Sequence, residues 1–160
     1  MLKNFISNKI LNAKMESDPF SHIVIDDFLP EEYIENFSKL PNYNEIDNNV
    51  YFQDKKHSKK SIADNNPDKT NYNLLLNKSK LFKEFDLLFK KDDSLKDIIF
   101  ERFSYDLNKS LVKDYNSFET STSLNYSVSI PGYSKEIHVD RREHLINILL
   151  YVSDDNDSAN

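Results

Sequence analysis

A chain of 160 residues with a formal net charge of −6 and a pI near 5.2 is long enough for a single domain with its own core. Its acidity argues against a nucleic-acid or anionic-membrane surface, which would carry a basic footprint. There is no cysteine, so thiolate metal sites, disulfides and cysteine nucleophiles are excluded, and any metal must be held by His, Asp or Glu. The one glycine, Gly132, stands where average usage of about 7% would give roughly eleven. Glycine-rich phosphate loops and the Gly-x-Ser-x-Gly elbow are thereby removed as well.

Leu2, Phe5, Ile6, Ile10 and Leu11 fall at helical spacing and predict a leading amphipathic helix within residues 1–17, packed on the domain. Residues 22–26 read as a short buried strand. Pro30, Glu31 and Glu32 suit the first turn of a helix reaching about Leu40. Residues 41–77, rich in Asn, Asp, Lys and Ser, read as a long polar connection with a short strand near residues 50–53. Within it Lys55, Lys56, Lys59 and Lys60 surround His57, either as an anion-binding loop or as a solvated one.

Leu81, Phe82, Phe85, Leu88 and Phe89 form one helical stripe, and Leu95, Ile98, Ile99, Phe103, Leu107 and Leu111 form another. Both are expected to face the core and to supply no ligand. After Asn116 the period changes: Thr122, Leu124, Tyr126, Val128 and Ile130 alternate with polar residues, as in a half-buried strand, and Pro131-Gly132 marks a turn. A second extended segment is expected to carry residues 136–140. The apolar run 145–152 suits a strand buried on both faces, and residues 153–160 read as a loop. Helices followed by strands give an α+β order, with the core strands in residues 118–152.

His138-Val139-Asp140 places an imidazole and a carboxylate two residues apart, on one face of an extended segment. That is two-thirds of the 2-His-1-carboxylate arrangement that leaves iron(II) open to further ligands. With four histidines among many aspartates the tripeptide means little alone, and a structural hydrogen bond would also account for it. Its surroundings say more. Residues 130–153, IPGYSKEIHVDRREHLINILLYVS, resemble the prolyl-4-hydroxylase-like branch of the iron(II)/2-oxoglutarate-dependent oxygenases: a Pro-Gly turn, His-x-Asp, a polar loop, and an apolar strand ending in Tyr-aliphatic-Ser. Residues 19–37, PFSHIVIDDFLPEEYIENF, look like the entry segment of the same families.

The resemblance implies N-terminal helices packed on a double-stranded β-helix of jelly-roll or cupin type. It implies iron(II), 2-oxoglutarate as co-substrate, dioxygen and, as an optional reductant, ascorbate. The substrate would be a small molecule or a protein side chain. The acidic composition argues against a nucleic-acid partner, and with no apolar run near the roughly 20 residues of a membrane span and no signal-peptide pattern the chain is expected in the cytoplasm with no membrane involved. By position His138 and Asp140 match the first two iron ligands, with no catalytic residue beyond them. Tyr151 matches a tyrosine that hydrogen-bonds the distal carboxylate of the co-substrate; Asn147 and Tyr126 are further candidates for lining its pocket. The departure lies at the end. No His follows His144 and no Lys or Arg follows Arg142, although the family draws a distal histidine and a basic residue from later strands. His144 stands at the start of the next strand, where the family places no ligand, and His22 reads as a strand-edge or core histidine. The loop at residues 153–156 resembles the one that precedes the family's remaining strands, so the sequence reads as a C-terminally truncated oxygenase domain carrying two of three iron ligands. The alternative is a non-catalytic β-helix module that binds a partner through an open sheet edge.

Overall fold

Helices built on the apolar stripes form one layer and a short antiparallel sheet lies against it. The computed structural model describes residues 2–34, 36, 40–46, 52–54, 59–111, 114–131 and 144–151. In chain order these give α1 (Leu2–Asn12), β1 (Met15–Glu16), β2 (His22–Ile23), α2 (Glu31–Ile34), β3 (Phe52–Asp54), β4 (Lys59–Ala63), α3 (Thr70–Lys78), α4 (Lys80–Lys90), α5 (Asp93–Arg102), α6 (Ser104–Leu111), a 3-10 turn (Tyr115–Ser117) and β5 (Asn125–Ser129). β1 and β2 form a two-stranded ribbon, and β3, β4 and β5 an antiparallel sheet with β4 in the middle. The fold is thus mixed helix and sheet, with small antiparallel sheets.

α1 buries Leu2, Ile6 and Ile10 against Leu95 and Ile99 of α5, while Leu81, Phe85 and Leu88 of α4 and Leu29 complete this first core cluster. A salt bridge of 2.7 Å from Lys3 to Asp92 ties the start of α1 to the start of α5. α4 is defined by its caps as much as by its stripe. Ser79 ends α3, with its N–H on Leu75 O, and begins α4, its hydroxyl accepting from Phe82 N at 3.1 Å. Phe82 turns to a second cluster with Ile46, Ile62, Tyr72 and Leu75, and Leu124 packs against both clusters.

The sequence expectations are met unevenly. The stripe over residues 95–111 is broken at Phe103 into α5 and α6. Only His22 and Ile23 of residues 22–26 form a strand. That strand is half-buried rather than buried, because its one neighbour among the described residues is β1, and Val24 is already 69% exposed. The helix at Pro30 is described over Glu31–Ile34, and a turn bond from Asn36 N to Tyr33 O follows it. The stretch 41–77 is more than a connection: it holds β3, the central strand β4 and the helix α3. The expected strand near residues 50–53 is seen as β3. Lys59 and Lys60 belong to β4 and Lys60 is buried, so neither an anion-binding nor a solvated loop describes them; Lys55, Lys56 and His57 lie outside the described residues.

The apolar run also differs. Residues 145–151 carry no regular secondary structure, and Ile148, Leu149, Leu150 and Tyr151 are exposed rather than buried on two faces. A run of apolar side chains becomes a buried strand only beside neighbouring strands, and among the described residues none pairs with this run. No helix among the described residues is long and apolar enough to cross a membrane.

Candidate functional site

β5 is the strand that leads toward the His-x-Asp motif. Its residues alternate between half-buried and exposed, and its register with β4 sets Tyr126 opposite Ile62, Ser127 opposite Ser61 and Val128 opposite Lys60. Cross-strand partners share a face. Ile62, Tyr126, Lys60 and Val128 therefore lie on the side of the sheet that meets α3 and α4. The Tyr126 ring stands edge-on to Phe82 at 6.4 Å, and its hydroxyl donates to Pro41 O at 2.8 Å. Burial, aided by the nearby Glu45 carboxylate, raises the Tyr126 phenol above its ordinary value and keeps it a neutral donor. On the opposite face the Ser61 and Ser127 hydroxyls are 2.8 Å apart.

Lys60 is the most unusual residue of this face. It is 6% exposed, and its ammonium donates to Ile46 O at 2.6 Å and Tyr43 O at 3.1 Å while sitting 4.6 Å from the centre of the Tyr43 ring. Together Lys60 and Tyr126 fasten residues 41–46 to the sheet.

A second polar centre joins the end of β4, the entry to β5, and helices α3 and α4. The Lys90 ammonium lies 2.9 Å from Asp64 Oδ2 and 3.2 Å from Asp86 Oδ1. Tyr72 donates its hydroxyl to Asp86 Oδ1 at 2.6 Å, and Asp64 Oδ1 accepts from Ser123 Oγ at 2.7 Å and Leu124 N at 3.2 Å. Burial alone would raise the Asp64 carboxyl. The hydrogen bond and charge of Lys90, with the donors Ser123 and Leu124 N, outweigh it and hold Asp64 below the ordinary carboxylate value. Lys90 is the mirror case: burial would lower it, but its two carboxylates raise it. Tyr72 is pushed well above the ordinary phenol value by burial and then by Asp86. Each of these groups already serves a neighbour, which suits a fastening role better than catalysis.

The expected site residues are distributed as follows. His138 and Asp140 lie outside the described residues. Tyr126 is committed to the helix-facing core and to Pro41 O. Tyr151 is 86% exposed and Asn147 is exposed beside it in the chain. His144 is exposed, and His22 is a half-buried strand residue whose Nδ1 is 2.8 Å from Phe20 O. Among the described residues no three of His, Asp and Glu gather into a metal-holding group. The Asp64–Lys90–Asp86 centre gave no signal in the sequence, because Asp64 stands in a polar turn and Lys90 at the end of a helix, where lysine needs no partner to be explained. Comparison with models of known protein families, with curated proteins and with solved structures gave no match to the chain.

Proposed function

We propose that the chain is an iron(II)- and 2-oxoglutarate-dependent oxygenase domain of the prolyl-4-hydroxylase-like type, in which His138 and Asp140 are two of the iron ligands. The observation that carries the proposal is the sequence from Ile130 onward: a Pro-Gly turn after the alternating strand β5, His-x-Asp, and an apolar run ending in Tyr151-Val-Ser. The donor set fits the metal. An imidazole and a carboxylate at two-residue spacing on extended chain reach one ion from the same side, and nitrogen with oxygen donors suits iron(II). Helices on one face of the sheet are consistent with a double-stranded β-helix, whose pocket would lie on the other.

Bound iron and the oxo acid would supply the oxidising chemistry: 2-oxoglutarate, dioxygen and a substrate C–H bond yield succinate, carbon dioxide and the hydroxylated substrate. The residues of the chain bind and orient. The Tyr151 side chain, 86% exposed, would donate its hydroxyl to the distal carboxylate, and Asn147, two pairs earlier, would offer a neutral contact. Tyr126 serves the site from behind, since its hydroxyl holds β5 against residues 41–46 instead of reaching a co-substrate. The family's distal histidine and its basic residue have no counterpart among residues 145–160. The substrate class that goes with this reading is a small molecule or a protein side chain.

Anaerobic titration with manganese(II), a redox-silent stand-in for iron(II), tests this reading. The expected result is one weak site whose affinity falls at least tenfold in both His138→Ala and Asp140→Ala, about 1.4 kcal/mol or more each, and stays unchanged in His144→Ala. Equal affinity in the wild type and both variants would overturn the proposal.

A further inference from the structure

Between α1 and the chain leaving β2 lies a cavity of about 360 Å³ that opens to solvent. Small-molecule sites occupy about 300–1,000 Å³, so it is large enough for a small ligand. Phe5 and Lys9 line its helical wall, and their spacing of four residues sets them on one flank of α1, beside the buried stripe of Leu2, Ile6 and Ile10. The facing wall is formed by Val24, Ile25 and Asp26. Phe5 and Ile25, both half-buried, and the exposed Val24 make the lining apolar.

Lys9 fixes the polar end. Its ammonium donates to Asp26 O at 3.1 Å and stands 5.5 Å from the centre of the Phe5 ring. The cation is thus held against the main chain of the residue that carries the carboxylate, and one charge of each sign borders the cavity. Asp26 is exposed, within reach of a ligand entering from solvent.

We propose that this cavity binds a free α-amino acid with an aliphatic side chain. The occupant is argued from charge complementarity. Such a molecule holds a carboxylate and an ammonium one carbon apart, which suits a lysine and an aspartate joined by a hydrogen bond to the aspartate's own carbonyl. The carboxylate of the ligand meets Lys9, its ammonium meets the Asp26 carboxylate, and its side chain lies among Phe5, Val24 and Ile25. A simple anion would gain Lys9 but face Asp26 and a chain of net charge −6, whereas a simple cation would gain Asp26 but face Lys9. A zwitterion satisfies both. The inference is independent of the iron reading, because the site lies on α1 and the chain after β2 and needs no metal.

Amide proton–nitrogen correlation spectra of the full chain, recorded without metal during titration with L-leucine, test it. Saturable shifts are expected at Lys9 and residues 24–26, with a dissociation constant on the order of 1 mM for so small a ligand in an open site. Isocaproate and isoamylamine, which keep the aliphatic part and one charge each, should bind the wild type at least tenfold more weakly. Lys9→Gln and Asp26→Asn should each weaken leucine at least tenfold with the rest of the spectrum unchanged, and His138→Ala should bind it like the wild type. The proposal is overturned by the absence of saturable shifts, by isocaproate or isoamylamine binding as tightly as leucine, or by undiminished binding in either site variant. Overhauser contacts that place the chain's own residues between Phe5 and Val24 in the ligand-free protein would also overturn it, because the cavity would then be filled from within.

Discussion

A lysine in the middle strand of a small sheet would ordinarily point outward, but Lys60 places its charge inside, between two carbonyls and the Tyr43 ring. Removing the ammonium takes this donor from the buried Ile46 carbonyl and the part-buried Tyr43 carbonyl, a penalty of about 1–3 kcal/mol. Lys60→Met, which keeps most of the side-chain volume, is therefore expected to lower unfolding stability by that amount in urea; an unchanged midpoint would contradict the assignment. Asp64 gives a pH signature. Its folded carboxyl titrates below its unfolded value, so its contribution is fully present above the unfolded value of about 3.9 and is lost as the pH falls through the lower folded one. Asp64→Asn should cost stability at neutral pH and flatten the acid limb of a stability profile. An acid limb parallel to that of the wild type would show that the carboxylate is not held by Lys90. Lys90 has the opposite sign: its raised folded value makes its contribution fade only as the pH rises through that value. Neither residue was legible in the sequence, because lysines and aspartates in polar stretches carry no period that reports burial.

Helices were the most legible elements. The stripes of α1 and α4 locate Ile6 and Leu81 in the core directly, since a 3.6-residue period fixes which side chains share a face. The cap shared by α3 and α4 was not anticipated, yet Ser79 is 1% exposed and serves two helix ends. Ser79→Ala should lower stability by about 1 kcal/mol, and Ser79→Gly, which still allows the cap backbone, by only a few tenths. A loss for glycine as large as for alanine would contradict a capping role. β4 escaped notice because its lysines and serine mask an alternating pattern, and its burial depends on strands far away in sequence. The run 145–151 failed in the opposite way: apolar content predicts a wish to be covered, whereas the cover itself is a tertiary fact. α5 and α6 were merged because one stripe continues through Phe103 with no Gly or Pro to mark the break.

For the whole molecule, a mixture of helix and sheet was readable, but the expected order of helices followed by strands was not met, because β3 and β4 precede α3 to α6. The layout of two core clusters bridged by Leu124 was not readable either. The oxygenase reading rests on residues 130–153, and it makes a quantitative demand. With two matched ligands and no basic partner for the distal carboxylate, Tyr151 would supply a neutral hydrogen bond where a charge-assisted one is roughly twice as strong. The 160-residue chain is therefore expected to form little succinate from 2-oxoglutarate when loaded with iron(II) anaerobically and then exposed to air. Robust succinate formation lost in His138→Ala would mean that His22, His57 or His144 completes the site. The most direct measurement of the central claim is pulsed electron paramagnetic resonance on the manganese(II)-loaded chain, which detects nitrogen bonded to the metal. The account predicts coupling to one imidazole that disappears in His138→Ala and persists in His144→Ala; coupling that survives the loss of His138 would contradict it.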